Sequence, residues 1–177
     1  MMQHAPLFIV LLPVSAALLC MLFSRIQKNL GSWIVIGSIV AAFMSAVTVL
    51  QQIIADGGKP IHYWMGNWQP PLGIEFVIDP ISGVLAVLIT FISLLGSLYS
   101  LPFVKEEGWL HIGGYYTLYG LMTVGMCGMV ITGDVFNLYV FLEVMSLSGY
   151  GLIAIGGKKS MLAAFRYLLI GTIGASL

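Results

Sequence analysis

Long apolar runs separated by short polar or glycine- and proline-containing turns fill most of this chain. They fall at about 5–23, 30–54, 80–101, 112–132, 135–155 and 160–177, and runs of 18 or more apolar residues have the length of a transmembrane helix. The first run has Pro6 at its start and Pro13 at a kink, and no Lys or Arg precedes it, which argues against a signal peptide. The second ends at Asp56-Gly57-Gly58-Lys59-Pro60, a turn sequence. Asp79 followed by Pro80 supplies an N-cap and a proline at the first helical position for the third, and Pro102 punctuates its end. Between the second and third runs the pattern changes. IHYWMGNWQPPLGIEFVID, residues 61–79, holds aromatic and β-branched residues broken by Pro70, Pro71 and Gly73. That composition predicts a short β-hairpin lying against the membrane interface, a depth that suits Tyr63, Trp64 and Trp68.

The expected fold is therefore all-α: one polytopic membrane domain over residues 1–177, with about six helices and a hairpin between the second and third. Composition agrees, since 59% of residues are hydrophobic and 8% charged, against roughly a quarter charged in soluble domains. A formal net charge of zero gives no reason to invoke nucleic acid. Cys20 and Cys127 lie inside apolar runs without metal-ligand spacing and read as small buried hydrophobes. His4, His62 and His111 fall near different span ends and form no same-face pair, which disfavours bis-histidine haem ligation. Nucleotide-binding loops, dinucleotide fingerprints and cysteine clusters are missing from the sequence, so no cofactor is expected and any redox chemistry belongs to another subunit.

Basic residues set the expected orientation. With the N-terminus outside, Arg25, Lys28, Lys105, Lys158 and Lys159 occupy cytoplasmic loops and Lys59 an external one. The hairpin, with Glu75 and Asp79, then lies on the outer face of a cell's inner membrane.

One acidic side chain stands apart. Glu143 lies nine residues after Asp134 and thirteen before Gly156, which carries its carboxyl deep into the hydrocarbon. A charge there costs at least ~2.5 kcal/mol, and such residues mark ion paths; the alternative is a carboxyl kept protonated and hydrogen-bonded inside a bundle. Tyr139, Ser146 and Tyr150 stand at i−4, i+3 and i+7, so hydroxyls share the helix face of the carboxyl and predict a hydrated crevice. Hydroxyls and water stabilise the carboxylate enough to let it exchange protons. Each tyrosine also has a plainer reading as a packing or interface residue. Asp134 most simply caps the fifth helix, and Asn137 either caps or faces a neighbouring helix. Arg166 sits about 9 Å into the sixth helix, whereas Glu143 is roughly 20 Å from that side, so direct contact is not expected. Arg166 either snorkels to the interface or biases Glu143 electrostatically through water.

GNWQPPLGIEFVIDPIS (66–82), TGDVFNLYVFLEVMSLSGYGLIAIGG (132–157) and AAFRYLLIGTIGASL (163–177) resemble the N-terminal part of the antiporter-like proton-conducting subunits. These are shared by Mrp-type sodium/proton antiporters, respiratory complex I and energy-converting membrane-bound hydrogenases; the wording around Glu143 most resembles the Mrp D-type subunit and its hydrogenase counterpart. The resemblance implies that Glu143 is the functional glutamate of the fifth helix, working with lysines on later helices, the first of them on a broken seventh helix. It implies about fourteen helices built as two inverted five-helix repeats, so the chain is expected to be an N-terminal portion. The sixth run, short and without a polar anchor at its end, points the same way. Arg166 stands where a lysine is often found, a departure from the pattern.

The expected function is proton or sodium translocation as an antiporter-like subunit within a multisubunit membrane complex, with other membrane subunits, the lipid bilayer, H+ and Na+ as partners. Such a chain is a transporter subunit, not an enzyme in its own right. The alternative is a non-conducting structural subunit of such a complex, which the missing lysines favour.

Overall fold

In a computed structural model, which describes residues 4–27, 29–68, 73–104 and 109–176, the apolar runs become six helices. They are α1 (Ala5–Ile26), α2 (Leu30–Ala55), α3 (Pro80–Val104), α4 (Trp109–Ile131), α5 (Val135–Ile155) and α6 (Lys158–Ser176). Strands β1 (Ile61–Trp64) and β2 (Glu75–Ile78) form the expected antiparallel hairpin between α2 and α3. Lys28, Pro70, Pro71 and residues 105–108 lie outside the described residues, as do the side chains of Lys158 and Lys159.

Among the described residues five helices, α1 to α5, are long and apolar enough to cross a membrane. In α6 the apolar stretch is shorter, Ser160–Ala175. Pro102 does not end α3, which continues to Val104; a proline two residues from a helix end forfeits a single hydrogen bond. Pro13 is accommodated inside α1 and buried.

Small residues let the helices approach closely, as apolar bundles in lipid require. A Cβ on Gly125 would stand 2.7 Å from the Met145 backbone nitrogen, and one on Gly151 2.8 Å from Leu118, so α4 and α5 meet nearly backbone to backbone. Gly120 does the same for α4 against Ala17 and Val35. Hydroxyls join α3 to α4: Tyr116 donates to the Ser97 carbonyl at 3.1 Å and Tyr119 to that of Ser93 at 2.9 Å.

The core has two parts. Toward the hairpin, Ile9, Val49, Ile53, Phe76, Ile78, Val124, Cys127 and Ile131 are buried together. Toward the other end, Cys20, Val35, Ile39, Ile112 and Tyr116 form a second cluster. Both cysteines are free and buried. Outward-facing Leu18, Leu22, Ile92, Leu95, Phe165 and Ile170 are exposed along the helices, as expected of a multi-pass membrane protein whose outer surface meets lipid.

The hairpin is seated on the helices by its inward face. Phe76 and Ile78 are buried, while His62 and Trp64 point outward. Asp79 begins α3 as a reciprocal cap: its carboxylate accepts from the Ser82 N–H at 2.7 Å, and the Ser82 hydroxyl accepts from the Asp79 N–H at 2.8 Å. The Ser82 N–H bond holds the Asp79 carboxyl below its ordinary range.

Candidate functional site

The first turn of α5 carries the devices that place Glu143. Asp134 caps the helix, accepting from the Phe136 N–H at 3.0 Å. Asn137 is buried and donates to the Thr132 hydroxyl at 3.1 Å, so of its two expected roles it serves the turn before α5. Glu143 follows on the helix without a break, about 13 Å along the axis from Asp134 at 1.5 Å per residue.

Helical phase decides what the carboxyl faces. At about 100° per residue, Asn137, Phe141 and Ser148 fall within a sector of roughly 40°, and Tyr139, Glu143, Ser146 and Tyr150 within one of roughly 60° on the opposite side. The first group packs against α4 and the hairpin: Asn137 and Ser148 are buried, Phe141 lies against Gly128, and its ring centroid is 6.5 Å from that of Phe76. The second group is the hydroxyl stripe anticipated from sequence. It does share one face, but that face looks away from α1 to α4 rather than into a crevice among them. Glu143 is half-buried and Tyr139 is 47% exposed. Tyr139 and Glu143 are close enough to interact electrostatically, so the phenol and the carboxyl form the upper pair of the stripe. Ser146 is half-buried on the next turn.

At its lower end the stripe reaches α6. The Tyr150 and Tyr167 rings meet edge to face with centroids 4.6 Å apart, and the Tyr150 hydroxyl lies over Gly171, where a side chain would collide with it. Tyr150 is thus both a stripe member and the contact that docks α6. Arg166 is exposed beside Tyr167 and makes no ion pair with Glu143 among the described residues. No group of three or more His, Cys, Asp or Glu able to hold a metal occurs among the described residues.

Sequence reasoning missed an ionisable pair on the hairpin. His62 Nδ1 lies 2.7 Å from Glu75 Oε1, and the Trp64 indole N–H donates to the same oxygen at 3.1 Å. The histidine hydrogen bond holds the Glu75 carboxyl below its usual range. His4 at the start of α1 pairs with the Tyr63 hydroxyl at 3.0 Å. Strand alternation could have shown that residues 62 and 64 share a face, but not that Glu75 lies across from them.

Comparison with known proteins completes the picture. No family model matches the chain. It is 40% identical over 175 residues to NADH-quinone oxidoreductase subunit N of Desulforudis audaxviator, an alignment covering 99% of this chain and 35% of that protein. It is 27% identical over 180 residues to the D-type subunit of the Na+/H+ antiporter of Alkalihalophilus pseudofirmus, again covering 99% of this chain and 35% of the relative. Among solved structures, a chain of the membrane-bound sulfane sulfur reductase, an archaeal respiratory membrane complex, superposes with a TM-score of 0.89 at 30% identity, covering 98% of this chain and 35% of that one. The chain spans about a third of the length of the curated relatives it matches. Along nearly all of its own length it is similar to these membrane subunits, named for a Na+/H+ antiporter, for NADH-quinone oxidoreductase and for a respiratory membrane complex.

Proposed function

We propose that this chain is part of a proton-translocating, antiporter-like subunit in a multisubunit membrane complex, and that Glu143 is its proton-exchanging carboxyl. The observation that carries the reading is the placement of Glu143: mid-helix in a membrane span, on a face shared with Tyr139, Ser146 and Tyr150 and opposite the face packed on α4. A carboxyl at that depth is stable when neutral or when hydroxyls and water solvate its charge. Hydroxyls on the same face let it pass between the two states, which is what a relay requires. Arg166, on the neighbouring helix, biases the charged state at a distance without pairing. Relatives named as Na+/H+ antiporter subunits support H+ as one cargo and Na+ as the exchanged ion; the relative named as a quinone oxidoreductase subunit supports the same transport role beside a redox module carried by other subunits.

In this reading the chain sits in the inner membrane with its N-terminus outside. The N-terminus and the hairpin share one side, as the His4 contact to Tyr63 requires. Arg25 ends α1 on the other side, and Lys28, Lys105, Lys158 and Lys159 follow in the loops of that side in the sequence, which the positive-inside rule places in the cytoplasm.

Glu143→Gln, which keeps size and hydrogen-bonding capacity but cannot exchange a proton, is expected to abolish ion transport in vesicles holding the assembled complex while leaving assembly intact. Transport at the parent rate would overturn the role of Glu143. Assembly without any transport in the parent complex would instead support a structural subunit.

A further inference from the structure

The α4–α5 turn pairs with the hairpin as a third, minimal strand. Phe76 forms an antiparallel bridge with Thr132, and the Gly133 N–H donates to the Glu75 carbonyl at 2.9 Å. Gly133 has no side chain where one would meet Val77, so the turn can come this close. The Thr132 hydroxyl then accepts from the Asn137 side chain at 3.1 Å and from the Asp134 N–H at 3.3 Å, and the Phe76 ring lies against Phe141 one turn further on. Glu75 therefore has two hands. Its carboxylate holds His62 and Trp64 on the outer face of the hairpin, and its backbone carbonyl holds the residue before the cap of α5.

We propose that Glu75 and Phe76 are positioning residues for Glu143: the hairpin fixes the rotation and depth of α5, and the charge on His62 sets how firmly it does so. The proposal rests on the reading of Glu143 given above for its functional meaning, but its structural half stands alone. With His62 protonated, the hydrogen bond to Glu75 is an ion pair and the hairpin face is braced. With His62 neutral the contact is weaker and α5 is held less firmly at its first turn. Histidine changes charge between about pH 5 and 8, so the membrane face bearing the hairpin would report its pH to the helix carrying Glu143. The other ionisable groups near the hairpin are committed elsewhere or set apart. His4 bonds Tyr63, whose side chain leaves the opposite face of β1; Asp79 and Asp134 cap helices; Asp56 and Lys59 belong to the exposed turn before β1.

The test is hydrogen exchange of the α5 first turn, residues 132–138, in the assembled complex, compared between parent and variants at each pH so that intrinsic rates cancel. The parent is expected to lose protection by about two- to fivefold from pH 5.5 to 8, the range that an exposed pair delivers. His62→Gln should hold the high-pH level of protection at both values, and His4→Gln should keep the parent's step. Gly133→Ala, which pushes the hairpin off the turn without touching an ionisable group, should lower protection at every pH and alter the pH profile of transport. A step that survives His62→Gln, or one that vanishes in His4→Gln, overturns the proposal, as does unchanged protection in Gly133→Ala. Loss of transport in Glu143→Gln is a separate matter: its failure would remove the functional reading and leave these exchange results as they are.

Discussion

The block of α1 to α4 and the α5 helix beside it are built to different plans. The most apolar windows of α1 to α4 are 33 to 44% buried, that of α5 only 11%. The four-helix block is held by small residues, buried hydroxyls and two apolar clusters, the first of which also takes in the hairpin. Helix α5 is gripped along one narrow stripe, at Asn137, Phe141, Met145 and Ser148, and leaves its carboxyl-bearing face clear of the block. A packed face keeps a helix in register; a face kept clear lets a titratable group meet water, ions or another element. In the proposed reading, this division of labour within one helix lets Glu143 be held in register and still exchange a proton.

Removing a side chain that bridges the two regions should show the difference most strongly. Phe76→Ala empties a site that is 1% exposed and touches both the block and Phe141, and should destabilise the protein by about 3–5 kcal/mol in thermal or denaturant unfolding in detergent. Gly125→Ala forces a methyl to within 2.8 Å of the Met145 backbone and should cost about 1–3 kcal/mol by the same measurement. Gly149→Ala, where nothing lies within 4 Å, sharpens the comparison: on this open side of α5 the change should be neutral or stabilise by up to about 1 kcal/mol. Equal losses at positions 125 and 149 would erase the distinction between the two faces. Asp79→Ala removes the cap of α3 and should cost about 1 kcal/mol.

The smallest effect is that of pH on the hairpin. Because the His62 hydrogen bond lowers the Glu75 carboxyl from its ordinary value of 4.5, the unfolded chain takes up the proton first as pH falls. On the acid side, the contribution of Glu75 is therefore present just above that value and is lost as pH falls through the lower folded one. Glu75→Gln should remove this acid-side slope in unfolding midpoint against pH. The site is exposed to solvent, so the slope should be shallow and should shrink further in high salt.

Much of this was legible in the chain. Span positions, both aspartate caps, the hairpin and the shared face of Tyr139, Glu143, Ser146 and Tyr150 follow from local spacing, which helix and strand geometry translate directly into direction. Two things did not follow. The first is which way the Glu143 face points: in lipid the outer side of a helix is as apolar as its packed side, so hydropathy periodicity does not tell core from membrane. The second is the staple between β2 and the Thr132-Gly133 turn, a backbone pairing across more than fifty residues of sequence that no local pattern announces. Pro102 belongs here for a related reason: a proline in the last turn of a helix does not fix where the helix ends, and α3 continues to Val104.

The central claim is that Glu143 changes protonation state when the protein moves ions. Infrared difference spectroscopy of the reconstituted complex, recorded with and without an imposed proton gradient, reads that event at the carboxyl C=O stretch. The account predicts a gradient-dependent carboxyl band in the parent that disappears in Glu143→Gln. A difference spectrum unaltered by that substitution would contradict it.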